Sequence, residues 1–170
     1  MSKIEHNMTE EAIRDALQEV MDPEIPALSI VDLGIVRKID VSDDSIAVEI
    51  MPTFVGCPAL EMMKEGIIER LASLAPGREV TVKVTLEEAW TTDRMTERGR
   101  QTLKSSGFAP PPTGKMMPGR GNLIQLMPVA ECPYCGSRKT TMENAFGPTL
   151  CRAIYYCRDC RQPFEQFKQV

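Results

Sequence analysis

The chain has 170 residues, 42% of them hydrophobic and 26% charged, with a net charge of −4. That is enough apolar residue for a real core and too much for global disorder. A pI of about 5.2 argues against a large electrostatic footprint for nucleic acid or anionic lipid. The one histidine, His6, excludes histidine-rich metal catalysis and makes Ser-His-Asp or Cys-His chemistry improbable. The chain has no Walker-type or G-x-G-x-x-G loop.

Met1 to Glu11 lacks the apolar run of a secretory signal. The longest uncharged run, Ile50 to Leu60, contains two prolines and a glycine and is far too short to span a bilayer. A cytoplasmic protein is expected, with no membrane partner. In a reducing compartment six cysteines point to metal ligands or reactive thiols rather than disulfides.

Ala12, Ile13, Ala16, Leu17, Val20 and Met21 fall at helical spacing, so a helix is expected over about 9–21. Asn7 or Thr9 would cap it, and Asp22-Pro23 would end it. Residues 22–34 carry two prolines and read as a shaped loop. Gly34–Val41 and Ser45–Met51, joined by Ser42-Asp43-Asp44, read as an antiparallel hairpin. A short loop then leads to Pro58, suited to open a helix. That helix would bury Met62, Met63, Ile67, Ile68, Leu71 and Leu74 and stop at Pro76-Gly77. Glu79–Leu86 is a strand with Val80, Val82, Val84 and Leu86 on one face, and 92–106 is a polar helix ended by Gly107. The order α-β-β-α-β-α describes a small α/β (α+β) domain over 1–107. Residues 108–129 form a Pro/Gly-rich linker, and 130–170 a second, small β module.

That module carries the strongest signal. Cys132-Pro-Tyr-Cys135-Gly136 and Cys157-Arg-Asp-Cys160 are two C-x2-C pairs separated by 21 residues, the spacing of a tetrahedral four-thiolate ribbon. Strands are expected near 138–144, 150–156 and 163–167. A module of about 40 residues makes too little core alone, and bound metal would supply the missing folding free energy. Structural zinc is the favoured reading. A single iron in the same ligands, a redox dithiol and a nucleic-acid ribbon are the rivals. Cys151 is left over and is read as a packed thiol. Phe146, Tyr155, Tyr156, Phe164 and Phe167 are expected to fill the small core rather than stack bases.

The remaining cysteine, Cys57, lies in Thr53-Phe-Val-Gly-Cys-Pro58 just ahead of a helix. Amide donors and the positive helix end there favour thiolate. Such a thiolate would bind iron, carry sulfur or hold a cluster edge. The alternative is a loop cysteine that only packs, and the residues leave both open. Asp22, Glu24 and Asp32 lie in the preceding loop, and spacing alone does not bring them to Cys57.

Four stretches carry a resemblance. Asp22-Pro-Glu-Ile-Pro, Ser29-Ile-Val-Asp-Leu-Gly-Ile-Val36, Thr53-x-x-Gly-Cys-Pro58 and Ala89-Trp-Thr-Thr-Asp93 resemble the MIP18 (DUF59) family, associated with iron–sulfur cluster assembly. Glu87-Glu88 stands where that family often has a proline. The whole chain, with its Cys-Arg-Asp-Cys-Arg-x-Pro-Phe-Glu-Gln-Phe ending, resembles the PaaD family of the phenylacetyl-CoA epoxidase system. The resemblance implies an accessory role in aerobic phenylacetate catabolism without catalytic activity of its own. Cys57 would handle iron or a transient iron–sulfur cluster, with Asp32 and Thr53 at motif positions around it. It implies the epoxidase components as partners, above all the iron–sulfur reductase. A homodimer sharing Cys57 is attractive because one thiolate is too few to hold a cluster. A purely structural or regulatory member of the complex is the other reading.

Overall fold

The computed structural model describes residues 8–111 and 129–168. Its architecture is mixed α and β, and it divides into two compact units at Ala89/Trp90.

In the first unit, helix α1 (Glu10–Ala16) is capped by the Thr9 hydroxyl, which accepts from the Ala12 amide at 3.2 Å. The helix is shorter than its apolar spacing suggests. The chain tightens into a 3-10 turn over Leu17–Glu19, and Val20 is already extended. Tertiary demand explains this: the Val20 carbonyl accepts from the Ile30 amide and Met21 bridges Ser29, which folds the following loop back.

That loop is built on Asp22. Its Oδ1 accepts the amides of Glu24 at 2.7 Å and Ile25 at 2.9 Å, an Asx turn ahead of Pro26. Ile25, Leu28, Ile30 and Leu33 are buried beneath it, so the segment is part of the core without being a strand.

Strands β1 (Val36–Val41) and β2 (Ser45–Ile50) form the expected antiparallel hairpin, with Ile46, Val48 and Ile50 buried in strict alternation. Strand β3 (Glu79–Val84) pairs parallel with β2. A parallel pair needs a crossover, and α2 (Leu60–Leu74) supplies it. The α2 stripe facing the core is narrower than expected. Met63, Ile67 and Leu71 are buried, whereas Met62 and Ile68 are exposed. β3 is an edge strand, and its expected apolar face is only half covered: Val80 and Val82 are half-buried, and Val84 and Leu86 are exposed.

The second unit opens on Trp90, buried edge-to-face against Phe167 with ring centroids 5.8 Å apart. Expectation placed one helix over 92–106. The chain instead makes a 3-10 turn at Thr92–Arg94 and then α3 (Glu97–Ser105), capped by Thr96. Phe108 and Ala109 form a short strand, β4, which pairs parallel with β7 (Pro163–Phe167). This pairing changes the expected boundary at 107: the contacts place α3 and β4 in the second unit, and most of the expected linker lies outside the described residues. The sheet order is β4-β7-β6-β5, with β5 at Thr140–Asn144 and β6 at Arg152–Cys157.

Arg100 locks this unit. Its guanidinium is buried and donates to the carbonyls of Pro111, at 2.8 Å, and Thr92. Replacing it with leucine keeps the packing stem but strands two acceptors. The expected cost is about 2–3 kcal/mol in urea unfolding of the second unit, from two lost hydrogen bonds to a charged donor. A loss under about 0.5 kcal/mol would contradict this role.

Candidate functional site

In the second unit the two knuckles meet. The Sγ atoms of Cys132, Cys135, Cys157 and Cys160 all lie within 4.8 Å of one another. Cys132–Cys160 and Cys135–Cys157 are each 3.6 Å apart. Tetrahedral zinc at about 2.3 Å from each sulfur requires sulfur pairs roughly 3.8 Å apart, so this cage is close to the size such an ion needs. Among the described residues this is the one such grouping of cysteine, histidine and carboxylate ligands.

The chain around the cage is shaped for it. Gly136 sits at φ 73, and the corresponding residue of the second knuckle, Arg161, takes φ 58 despite its side chain. The Gly136 amide returns to the Cys132 carbonyl at 2.9 Å. The amides of Cys160 and Asp159 donate to the Cys157 sulfur and pull its thiol down to about 6. Burial pushes the Cys160 thiol up to about 12, and its neighbouring thiols hold it there. Four sulfurs this close repel one another as thiolates, and a bound cation would offset that repulsion. Cys132 and Cys157 are fully buried in the small core with Ala109, Ala130, Ala153, Tyr155 and Phe164. Tyr155 stacks on Phe164 at 5.6 Å. The aromatic side chains thus divide: Tyr155, Phe164 and Phe167 fill the core, and Phe146 is exposed. Cys151 is buried outside the cage, with the Thr149 hydroxyl 3.1 Å from its sulfur.

Cys57 lies in the first unit. It ends a turn closed by its own amide donating to the Phe54 carbonyl at 3.1 Å, with Gly56 at φ 83. Pro58 and Ala59 continue as a turn before α2 begins at Leu60. Phe54 and Val55 are exposed, Cys57 is half-buried and Thr53 is buried. The expected shift toward thiolate is reversed. Burial pushes the thiol up, the Ala59 amide opposes it, the charges of Glu24 and Asp22 push it further, and the Leu60 amide opposes weakly. The helix-end donors are present, as read from sequence, but burial and two carboxylates outweigh them. Asp22 and Glu24, not assigned as site residues, are the acids whose charges reach Cys57. Asp32 is buried on the 29–34 turn, its amide bonded to the Ser29 hydroxyl at 3.0 Å. The Asp-Pro-Glu run of the loop was the available signal, but only the fold brings it beside the 53–58 turn.

Gly56 is required for its dihedral and not for space: a Cβ there meets nothing within 4 Å. Gly56→Ala should cost about 1–2 kcal/mol in unfolding of the first unit, the ordinary left-handed penalty. A neutral substitution would mean that the turn relaxes freely.

The family model described as the PaaD zinc beta ribbon domain matches residues 120–168, and that described as iron-sulfur cluster assembly protein matches 10–84. The chain is 39% identical to a protein of Escherichia coli (strain K12) named as the putative D component of 1,2-phenylacetyl-CoA epoxidase, over 91% of this chain and 89% of that one. The chain belongs to the PaaD family. This PaaD-family chain is also 34% identical to an Fe-S protein maturation auxiliary factor of Porphyromonas gingivalis, over 56% of this chain and 90% of that protein. A crystal structure of a DUF59 domain from Bacillus anthracis aligns with a TM-score of 0.52 and 25% identity, covering 55% of this chain and 90% of that one. The cluster-assembly match ends with β3, within the first unit that holds Cys57, and the PaaD ribbon match contains all four cage cysteines. The 90–111 segment lies between the two matches. No helix among the described residues is long and apolar enough to cross a membrane.

Proposed function

We propose that this protein is a maturation factor of the phenylacetyl-CoA epoxidase system, assisting iron–sulfur cluster assembly or insertion in the reductase component. The observation that carries the reading is Cys57 on an apolar, glycine-shaped turn of a unit that matches a cluster-assembly model, in a chain of the PaaD family. Iron or a transient cluster is the cargo, and Cys57 is the thiol that meets it. Thr53 and Asp32 shape its surroundings, and burial, helped by the charges of Glu24 and Asp22, keeps the thiol protonated until a cation displaces the proton. The four-cysteine cage holds structural zinc, which stabilises the second unit and leaves its thiolates occupied. A homodimer would present two Cys57 thiolates to one cluster. The protein works in the cytoplasm, binds no nucleic acid and has no catalytic turnover of its own.

The test measures iron and acid-labile sulfide in the reductase produced with and without this protein. A reductase with full cluster content in its absence removes the maturation reading. One observation favours a second reading, a structural or regulatory member of the epoxidase complex: the Escherichia coli relative is named as a subunit of that epoxidase. Normal cluster content together with co-purification at fixed stoichiometry would establish that alternative.

A further inference from the structure

The three-stranded sheet of the first unit has β1 and β3 at its edges, and they are built differently. β1 carries a bulge between Val36 and Lys38 and exposes Lys38 and Asp40, devices that discourage a further strand. β3 has no proline, and all six of its residues stay in register with β2. The Glu79 amide donates to the Asp44 carbonyl at 2.8 Å, and the Thr85 amide to the Ile50 carbonyl at 2.9 Å. Backbone groups alternate sides along a strand, so the odd-numbered residues serve β2. The amides and carbonyls of Val80, Val82 and Val84 therefore face the open edge. The side chains of this same row are incompletely covered, with Val84 exposed and Leu86 beyond it also exposed.

The sequence Glu79-Val-Thr-Val-Lys83 is complementary to itself when read antiparallel about Thr81. In that register Val80 of one strand meets Val82 of the other, and their outward groups exchange four hydrogen bonds across the two pairs. Thr81 faces Thr81 on the two-fold axis. Glu79 faces Lys83 twice, at non-hydrogen-bonded positions where side chains approach most closely. Shifting the strands by one pairing step in either direction loses both ion pairs. Glu79 and Lys83 are exposed. The neighbouring charges are accounted for: Glu49, next to Lys83 on β2, pairs with Arg37, and Arg78 donates to the Ser42 carbonyl at 2.9 Å. Asp43 and Asp44, on the turn beside Glu79, add charge of the sign that Lys83 of a second copy attracts. A lysine on an edge also serves to repel a second strand, but here the in-register strand offers it a glutamate. The first unit as a whole carries eight Lys/Arg against eighteen Asp/Glu, or −10, which opposes self-association at low salt. Physiological salt screens charges separated by more than about 8 Å and leaves directly opposed pairs in force.

We propose that the β3 edge is the docking surface for a second copy of this chain, joined antiparallel about Thr81 into a continuous six-stranded sheet. The added strand satisfies the outward groups of Val80 and Val82 and covers the valine row. The Cys57 turn follows the far end of β2, which runs parallel to β3. Antiparallel pairing therefore sets the two Cys57 turns at opposite ends of the joined sheet. Each copy handles its own cargo, and this contact is distinct from one that shares a cluster between two Cys57 thiols.

The test is sedimentation equilibrium of the full-length, zinc-loaded chain under reducing conditions at physiological salt. Wild type should dimerise reversibly. Lys83→Glu and Glu79→Lys, each of which sets like charges against each other at two places, should weaken the dimer at least tenfold. Glu79→Lys/Lys83→Glu restores opposite charges and should recover most of the affinity. Thr81→Cys should cross-link through the substituted position under mild oxidation, because residues opposed there have Cα atoms about 4.5 Å apart. Lys83→Cys should not, since the two copies of that position lie roughly 13 Å apart along the strands. A monomeric wild type, single reversals within twofold of wild type, a double exchange as weak as the singles, or equal cross-linking at both positions overturns the proposal. If wild type stays monomeric and Lys83→Glu instead abolishes binding of the purified reductase component, the edge belongs to a strand of that protein and the second copy is excluded. The maturation reading stands or falls separately, on cluster content and Cys57.

Discussion

Cys57→Ser should reduce iron and acid-labile sulfide in the co-produced reductase to the level found without this protein, while its own folding stays within about 0.5 kcal/mol of wild type. The two halves of this expectation have different origins. Serine is nearly isosteric with cysteine, and the site is half-buried at the end of a turn. The turn is held by the Cys57 amide on the Phe54 carbonyl and by the Gly56 dihedral, neither of which uses the sulfur. The thiol itself is the part that bears on cargo, because a serine hydroxyl cannot become the soft anion that iron in a cluster requires. Full cluster content in the reductase with the serine variant would remove Cys57 from the chemistry. The raised thiol gives the same prediction a pH sense. A protonated Cys57 binds iron only by releasing its proton, so cargo loading should strengthen as pH rises toward 9 and weaken as it falls. Glu24→Gln, which removes one of the two acidic charges acting on the thiol, should bring its titration downward. Alkylation of Cys57 followed against pH would show this, and an unchanged profile would sink the electrostatic account.

What could be read in advance follows the range of the interactions involved. The cage was legible because each C-x2-C pair is a local knuckle, and the spacing already limits what four thiolates can hold. The Thr9 cap, the β1–β2 hairpin and the alternation of Ile46, Val48 and Ile50 were legible for the same reason. The boundary at 107 was not. It moved because Phe108 pairs with Glu165, a strand contact between residues 57 positions apart that no local pattern announces. A charge separation between the units was hidden with it. Cut at 130, the chain reads −6 and +2; cut at Ala89, it reads −10 and +6, since Arg94, Arg98, Arg100, Lys104, Lys115 and Arg120 change sides together with only two acids, Asp93 and Glu97. Met62 and Ile68 fit a helical stripe by spacing, but the core takes only one row of α2. At Cys57 the sign of the shift depended on burial and on two acids from another loop, both tertiary facts.

Removing the metal should unfold the second unit and leave the first standing. The chain's single tryptophan makes this measurable: Trp90 is buried against Phe167 of β7, the strand that follows the second knuckle. A strong chelator should shift its emission to the red and expose it to quencher, while helical signal from α1 and α2 persists. Structural zinc in ribbon-sized units supplies about 10–16 kcal/mol of apparent binding free energy. The small core around Tyr155 and Phe164 has two of its members, Cys132 and Cys157, as metal ligands, so cage and core fail together. Cys157→Ser should produce the same red shift without chelator. The pH dependence has a definite sign. Between pH 6 and pH 8 the Cys157 thiol, at about 6, is largely ionised, whereas Cys135 and Cys160 sit above their ordinary value and keep their protons. Loading a divalent ion therefore expels at least two protons, and affinity should fall by at least about 100-fold for each unit of pH lowered in this window. Metal retention measured against pH would check the slope, and a dependence of less than one proton would mean that the cage is already ionised without its metal. An unshifted Trp90 emission after complete metal removal would show instead that the core of the second unit stands on its own, with the cage reserved for some other use.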